Sequence, residues 1–222
     1  FCMDADMRAG VMAEAEVQRL SYYDPLTDLP NRRLMLERIA SMVRGIKSER
    51  SVAALLIIDI DNFHSINESL GYSSGDRVLV HCAKSLQRFS SSHDDLARLG
   101  KDEFVLLLPC TAPSFDAAAT EAEQLATQVI EEIETPLMLE NDIHQLSACV
   151  GITLFHCPSN LPSDELIRQA DIALKMAKGS NTNTIRFFDQ EMESAVKERL
   201  QLSQALNHAV ENKELALAFQ PQ

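Results

Sequence analysis

The sequence predicts an α/β or α+β domain in which helices pack on a β-sheet. The first observation is the uninterrupted apolar run "VAALLII" at residues 52–58, which is typical of a central strand buried on both faces. The second is "FVLLLP" at residues 104–109, a similar run that follows a predicted hairpin turn. The third is that apolar residues at helical spacing come before, between and after these runs. Helices mixed with strands in this way indicate a sheet covered by helices.

The composition is that of an ordinary soluble globular domain. The chain has 222 residues, of which 45% are hydrophobic and 24% charged, so it is long enough to bury a substantial core. Its net charge of −13 argues against a large sequence-independent interface with DNA or RNA, because phosphates require clustered Lys and Arg. A small nucleotide is still compatible with this charge, since a metal ion can bridge acidic groups to phosphates.

Cysteine content and hydropathy predict a cytoplasmic location. The five cysteines are widely spaced and include no CxxC pair, so we expect packed thiols in a reducing compartment rather than metal ligands. No apolar run approaches the ~20 residues that span a bilayer, and the first residues do not resemble a signal peptide. Membrane tethering of a longer parent protein through other segments is left open.

The N-terminal half alternates between helices and strands. Residues 1–23 are predicted to form a helix with a narrow apolar stripe, and "DPLTDLPN" ends it with two prolines. Such a stripe suits either a stalk that pairs with a second copy of the chain or a helix that lies on the domain, and both are left open. The next elements are a helix around residues 35–46, the strand at 52–58, a helix around 78–89 and the strand at 104–109, which Pro109 is expected to end.

The C-terminal half continues this alternation. We expect an acidic helix at 114–134, an alternating strand at 146–154, a helix at 166–177, a short edge strand at "TIRFFD" and an amphipathic helix at 191–212. The final "ELALAFQPQ" has the pattern of a strand without partners, so we expect it to be the start of a truncated second domain. The predicted division is a linker helix at 1–23, a domain at 24–189, a linker helix at 190–213 and the truncated domain at 214–222.

Two pairs of acidic residues stand at predicted strand ends. "LLIIDIDNF" places Asp59 and Asp61 at the end of a buried strand, and side chains two residues apart in a strand project to the same side. Such carboxylates commonly hold Mg²⁺, although a turn-forming Asp pair has the same spacing. Asp102 and Glu103 lie on the neighbouring predicted hairpin, where a solvated tip is the alternative. Four neighbouring carboxylates repel one another unless a cation is present, which favours a metal site.

Four motifs resemble the GGDEF domain, the fold of diguanylate cyclases, which condense two GTP molecules into cyclic di-GMP. Over roughly residues 23–189 they follow the family's order and spacing: "DPLTDLPNRR", "DIDNFHSINESLGYSSGD", "RLGKDEF" and "DIALKMAKGSNTN". The resemblance implies a nucleotidyl-cyclase-like fold, with a mixed, mainly antiparallel sheet of about five strands flanked by helices. The final "LALAFQPQ" resembles the opening of an EAL domain, the cyclic di-GMP phosphodiesterase, which implies a tandem GGDEF–EAL parent protein.

The resemblance also implies a metal and catalytic set. Asp59, the backbone carbonyl of Ile60 and Asp102 are implied to hold Mg²⁺ or Mn²⁺. Glu103 is implied either as a further metal ligand or as the group that helps to activate the ribose 3′-hydroxyl. With Asp102 and Arg98, Glu103 makes up the catalytic set that the resemblance predicts.

For the nucleotide, the resemblance implies that Asn67 and Asp76 hydrogen-bond guanine and that Arg98 and Lys178 contact phosphate. The position of Lys178 agrees with this role, because it lies on the polar face of its predicted helix and away from the Ala/Leu stripe. Without the resemblance, a solvated helix face would be the simpler interpretation of Lys178.

Four positions depart from the family pattern. Lys101 replaces the second glycine of the signature, where its side chain would crowd the nucleotide or pair with the neighbouring carboxylates. His64 replaces a Lys and Thr182 replaces an Arg, so two phosphate-binding cations are lost. Ser91 replaces the Arg of an inhibitory RxxD motif, so product inhibition at that motif is not expected.

Three functions are compatible with these residues. The favoured hypothesis is a degenerate GGDEF domain that binds GTP and Mg²⁺ weakly and regulates the EAL domain. Each lost charge-stabilising donor costs about 3 kcal/mol, or roughly a hundredfold in rate, so little or no cyclase turnover is expected. The second is an active diguanylate cyclase in which Lys101 supplies the missing charge, and this requires a homodimer, which the N-terminal helix would join. The third is a dimerisation or docking module that binds no nucleotide.

Overall fold

The computed structural model describes residues 19–45, 51–92, 95–139, 142–180 and 182–189. Most of the predicted N-terminal helix, the linker helix from residue 190 onward and the EAL-like tail lie outside these described residues. The chain divides into two units at residue 189, and every helix and strand named below belongs to the first unit.

Helices and strands are mixed along the described chain, as the sequence predicts. The helices are α1 (Arg32–Gly45), α2 (Phe63–Leu70), α3 (Tyr72–Leu86), α4 (Phe115–Ile133) and α5 (Ser163–Lys178). The strands are β1 (Ser51–Ile60), β2 (Leu96–Gly100), β3 (Glu103–Ala112), β4 (Leu137–Leu139), β5 (Asp142–His144), β6 (Ala148–Cys157) and β7 (Ile185–Phe187).

One five-stranded sheet organises the domain, with strand order β2-β3-β1-β6-β7. The pairs β2–β3, β3–β1 and β1–β6 are antiparallel, and only β7 runs parallel to its neighbour β6. The strands β4 and β5 form a separate two-stranded hairpin. The predicted fold, a mainly antiparallel sheet of about five strands flanked by helices, is confirmed.

The central strand β1 is buried on both faces of the sheet, as its continuous apolar run predicts. Leu56 and Ile58 pack on one face, with the apolar residues of α3 and α4. Leu55 and Ile57 pack on the other face, with those of α1 and α5. Because side chains alternate along a strand, Asp59 continues the row that faces α5.

The prediction that Pro109 ends its strand is wrong. β3 continues to Ala112, and its pairing with β1 changes register between Val52 and Ala54. Pro109 lies in this irregular stretch, where the absence of a backbone N–H interrupts the fewest ladder hydrogen bonds.

Two expectations drawn from composition can be compared with the structure. Cys82 and Cys149 are buried thiols that form no disulfide, as expected, whereas Cys157 is disulfide-bonded, so the expectation of packed thiols is wrong at that position. Within the described residues, no helix is both long enough and apolar enough to cross a bilayer.

Candidate active site

The pairing of β1 with β3 brings the two acidic pairs together. In this antiparallel register Asp59 lies opposite Glu103. Asp102 lies in the turn between β2 and β3, and its backbone carbonyl accepts a hydrogen bond from the N–H of Ile60 at 3.3 Å. The predicted proximity of the strand end and the hairpin is therefore observed.

Asp59 is a buried carboxylate with one oxygen paired and one unpaired. Its side chain is only 2% exposed, and Oδ2 lies 2.6 Å from Nζ of Lys178. Its Oδ1 is buried and has no hydrogen-bond partner among the described residues. Burial raises the pKa of Asp59 to about 6; the hydrogen bond from Lys178 opposes this shift, and the charges of Asp102 and Glu103 add to it. The single ammonium of Lys178 therefore does not offset the burial of Asp59 and the two neighbouring negative charges.

This environment fits a divalent cation. Asp61, just beyond the end of β1, also buries an oxygen, Oδ2, that has no hydrogen-bond partner in the described part of the chain. Hard cations such as Mg²⁺ take carboxylate oxygens as ligands. The described residues contain no preformed group of three or more His, Cys, Asp or Glu side chains that could hold a metal, and the ammonium of Lys178 supplies the positive charge beside Asp59.

A cleft of about 480 Å³ lies beside the hairpin and is called here the α2–α3 cleft. It holds both residues that the resemblance assigns to guanine, Asn67 on α2 and Asp76 on α3. The full lining is Phe63, His64, Asn67, Tyr72, Asp76, Leu79, Arg98, Lys101 and Asp102. An apolar floor with a few polar groups is typical of a small-ligand site.

Glycine at position 75 lets α3 pass close to Asn67. A Cβ on Gly75 would overlap Oδ1 of Asn67 and lie 3.2 Å from the ring of Phe63. The helices α2 and α3 meet at Gly71, whose φ of 80° lies in the region that favours glycine. These two glycines therefore hold Asn67 and Asp76 on the same cleft.

Arg98 is fixed between the N-terminal turn and the hairpin. Its Nη1 donates to Oδ1 and Oδ2 of Asp24 at 3.0 and 3.1 Å, and its Nη2 donates to the carbonyl of Lys101 at 2.6 Å. Burial opposes ionisation of Asp24, but hydrogen bonds from Thr27 and the pairing with Arg98 outweigh it, so the pKa of Asp24 is lowered. No local sequence pattern indicates this pairing, because Arg98 lies 74 positions from Asp24.

Lys101 adopts an unusual backbone conformation at the tip of the hairpin. Its φ is 44°, and the preceding Gly100 has a φ of 135°. A left-handed conformation costs a residue with a Cβ roughly 1–2 kcal/mol. Within the described residues Lys101 forms no ion pair with Asp102 or Glu103, and its exposed side chain lines the α2–α3 cleft instead. Of the two effects expected for Lys101, pairing with the neighbouring carboxylates is not seen among the described residues, and crowding of a nucleotide stays a prediction.

The other predicted phosphate-side residues lie apart from one another. His64 lines the α2–α3 cleft, is 83% exposed and has Nε2 3.1 Å from Oε1 of Glu68.

Lys178 and Thr182 line a separate hollow of about 280 Å³, together with Asp61 and Asn62. Partial burial disfavours the charged form of Lys178, but pairing with Asp59 outweighs this effect and raises its pKa. Ser91 is exposed and lines neither cavity.

Glu103, a predicted catalytic residue, lies outside the α2–α3 cleft. It lines a third hollow of about 340 Å³, whose charged members also include Arg32, Arg168 and Asp171. Burial raises the pKa of Glu103, and the negative charges of Asp171 and Asp102 raise it further. The hairpin thus places Asp102 on the cleft and Glu103 on the side of α5.

The chain is similar to known proteins in sequence and in fold. Residues 21–184 match the family described as "Diguanylate cyclase, GGDEF domain". The chain is 33% identical, over 94% of its length, to the bifunctional diguanylate cyclase/cyclic di-GMP phosphodiesterase MucR of Pseudomonas aeruginosa. It is 27% identical, over 94% of its length, to the cyclic di-GMP phosphodiesterase NbdA of the same organism. It spans only 30% and 26% of these two relatives.

A solved structure supports the same comparison. The GGDEF domain of TpbB (YfiN) from Pseudomonas aeruginosa is 30% identical to this chain and superimposes with a TM-score of 0.71. The match covers 79% of this chain and 99% of the TpbB domain.

Proposed function

Because this chain belongs to the GGDEF domain family of cyclic di-GMP signalling proteins, we propose that it binds GTP with Mg²⁺ as a regulatory domain with little or no cyclase turnover. In a longer parent protein, it regulates an adjacent EAL phosphodiesterase domain. The observation that carries this proposal is the open α2–α3 cleft, which keeps Asn67 and Asp76 on its wall although Lys101 also lines it.

The cleft has the chemistry that guanine recognition requires. The carboxylate of Asp76 can accept hydrogen bonds from the N–H groups of a guanine edge, and the amide of Asn67 can both donate and accept. Phe63 and Leu79 supply apolar surface to the same cleft. Polar groups that fix orientation above an apolar floor are typical of small-molecule sites.

Mg²⁺ fits the carboxylates beside this cleft. The residues that would hold it are Asp59, the carbonyl of Ile60, Asp102 and Glu103, and the unpartnered oxygen of Asp59 supports this assignment. When bound, the ion neutralises phosphate charge. The ammonium of Lys178 lies in the neighbouring hollow, from which it can turn from the carboxylate of Asp59 toward a phosphate.

Low cyclase turnover is expected because two phosphate-binding cations are lost and a third cation, Arg98, already binds other groups. His64 and Thr182 stand where the family has cations, and Arg98 already uses its donors on Asp24 and on the carbonyl of Lys101. Each missing charge-stabilising donor costs about 3 kcal/mol, so two losses slow the transfer by roughly ten-thousandfold. Binding depends less on these groups, because it uses the cleft and the metal carboxylates.

An active diguanylate cyclase is the second candidate. It is favoured by the position of Lys101, because Lys101 lines the same cleft as Arg98 and adds a cation near the expected phosphates. Prolonged incubation with GTP and Mg²⁺ separates the two candidates, because cyclic di-GMP accumulates only if the domain turns over.

The regulatory proposal is tested on the longer protein that contains the EAL domain. We expect GTP with Mg²⁺ to change its phosphodiesterase rate, and Asn67→Ala to remove that response without altering the basal rate. Loss of the response in Asn67→Ala would show that GTP acts through the α2–α3 cleft, because Asn67 lies on this cleft and not on the EAL domain. An unchanged rate at saturating GTP contradicts the proposal.

Lys101→Gly is expected to tighten GTP binding by up to roughly tenfold, because it removes a side chain that lines the cleft. It also relieves the left-handed strain at φ 44°, which stabilises the hairpin by about 1 kcal/mol. Calorimetric titration and urea unfolding measure the two effects.

Lys101→Ala separates the two effects of Lys101→Gly. It removes the ammonium and its stem but keeps the Cβ, so GTP affinity should rise while the backbone strain persists. Equal GTP affinity in the wild type and both variants would show that Lys101 does not restrict the site.

A further inference from the structure

Tyr72 is a large aromatic side chain that the fold leaves uncovered. It is 80% exposed, the highest fraction among the exposed large hydrophobic residues of the described chain. It is the first residue of α3 and directly follows the turn at Gly71. Within the described residues, the side chain of Tyr72 has no hydrogen bond, ion pair or ring contact. Neither core packing nor a polar contact therefore explains its position.

Tyr72 lines the α2–α3 cleft together with two apolar residues of different exposure. Phe63 is 8% exposed and Leu79 is 3% exposed, so they form the floor. Asn67 and Asp76 supply the polar groups of the same cleft. Tyr72 is thus the exposed aromatic member of a cavity that already has a buried apolar floor and a polar wall.

A flat heteroaromatic base has two apolar faces and a polar edge. The floor can cover one face, and Asn67 and Asp76 can bond the edge, which leaves the outer face in water. An aromatic ring on that face excludes water and stacks on the base, an interaction that does not depend on the base's hydrogen-bonding groups.

We propose that Tyr72 is a base-contacting residue, whose ring covers the outer face of a purine bound by Asn67 and Asp76 in the α2–α3 cleft. This inference rests on the proposed GTP-binding function and adds to it a residue that sets affinity for the base rather than for the phosphates. Tyr72 acts through its ring, because its hydroxyl has no partner among the described residues.

The test compares a nucleotide with its phosphate chain alone. GTP and inorganic tripolyphosphate, each with Mg²⁺, are titrated calorimetrically into the wild type, Tyr72→Ala and Tyr72→Phe. We expect Tyr72→Ala to weaken GTP binding by roughly tenfold to a hundredfold, and Tyr72→Phe by less than about twofold. Tripolyphosphate affinity should be the same in all three proteins. As a control, Met138→Ala removes another exposed apolar side chain, which lies outside the cleft, and should leave GTP affinity unchanged.

Fluorescence gives a second readout. The sequence contains no Trp, so Tyr72→Trp introduces a unique probe at the cleft. Its emission should be quenched by GTP and unchanged by tripolyphosphate. GTP binding by the wild type together with full affinity in Tyr72→Ala, or equal losses for GTP and tripolyphosphate, overturns the inference alone. No GTP binding by the wild type overturns the proposed function as well.

Discussion

Asp59→Asn is expected to remove most of the Mg²⁺-dependent part of GTP binding. The substitution keeps the shape of the side chain but removes the charge from a buried group whose Oδ1 has no partner among the described residues. Loss of one charge-assisted contact of this kind costs about 1.5–3 kcal/mol, so Mg²⁺-dependent GTP affinity should fall roughly tenfold to a hundredfold. Calorimetric titration of GTP at fixed Mg²⁺ measures the change.

The pH dependence of the wild type provides an internal check on this prediction. The pKa of Asp59 is raised from 3.8 to about 6, so below pH 6 the folded protein holds a proton that the metal must displace. Mg²⁺ affinity should therefore rise as the pH increases through about 6, and this dependence should be weaker in Asp59→Asn, where only Glu103 keeps a raised pKa among the proposed ligands. Asp28→Asn is a suitable control, because Asp28 is exposed and Asn tolerates its φ of 58°. Equal metal affinity in Asp59→Asn and the wild type would exclude Asp59 as a ligand.

Gly151→Ala is expected to destabilise the fold strongly. Gly151 lies on β6, where an added Cβ would overlap the carbonyl oxygen of Ala170 and the amide nitrogen of Leu174 and would lie 2.8 Å from the Cα of Leu174. These are backbone atoms of α5, so no side chain can rotate away and the helix must move off the sheet. Overpacking of this kind costs about 1–3 kcal/mol or more. Urea unfolding of the domain measures the loss.

Gly71→Ala is the matched control for the effect of steric overlap. Its φ of 80° is strained for alanine, but an added Cβ would have no atom within 4 Å. Strain alone should cost roughly 1–2 kcal/mol. If Gly151→Ala were no more destabilising than Gly71→Ala, the close packing of α5 on β6 would not contribute as described.

Local pattern was sufficient to predict most of the fold. The run that contains Leu55, Leu56, Ile57 and Ile58 has no polar interruption, and it forms the central strand with both faces covered. The end of β3 was not predictable in the same way. Pro109 is a strong local breaker, yet an irregularity in pairing with β1 accommodates it, and such irregularities depend on the partner strand.

The site was predictable where strand register determines it. Asp59 and Glu103 lie opposite each other because both stand at the ends of paired buried strands. Asn67 and Asp76 came only from the family resemblance, because neither has a local signal for ligand binding. The pairs Asp24–Arg98 and Asp59–Lys178 join residues far apart in the sequence, and only the folded chain brings them together.

Calorimetric titration of GTP into this chain with Mg²⁺ tests the central claim most directly. We expect saturable heat that returns to the baseline after each injection, with no cyclic di-GMP in the recovered solution. Continuing heat with cyclic di-GMP as product would contradict the claim and show an active cyclase. Absence of binding heat up to about 1 mM GTP would also contradict the claim, because it corresponds to a binding free energy weaker than about −4 kcal/mol. That result would favour the docking module, which binds no nucleotide.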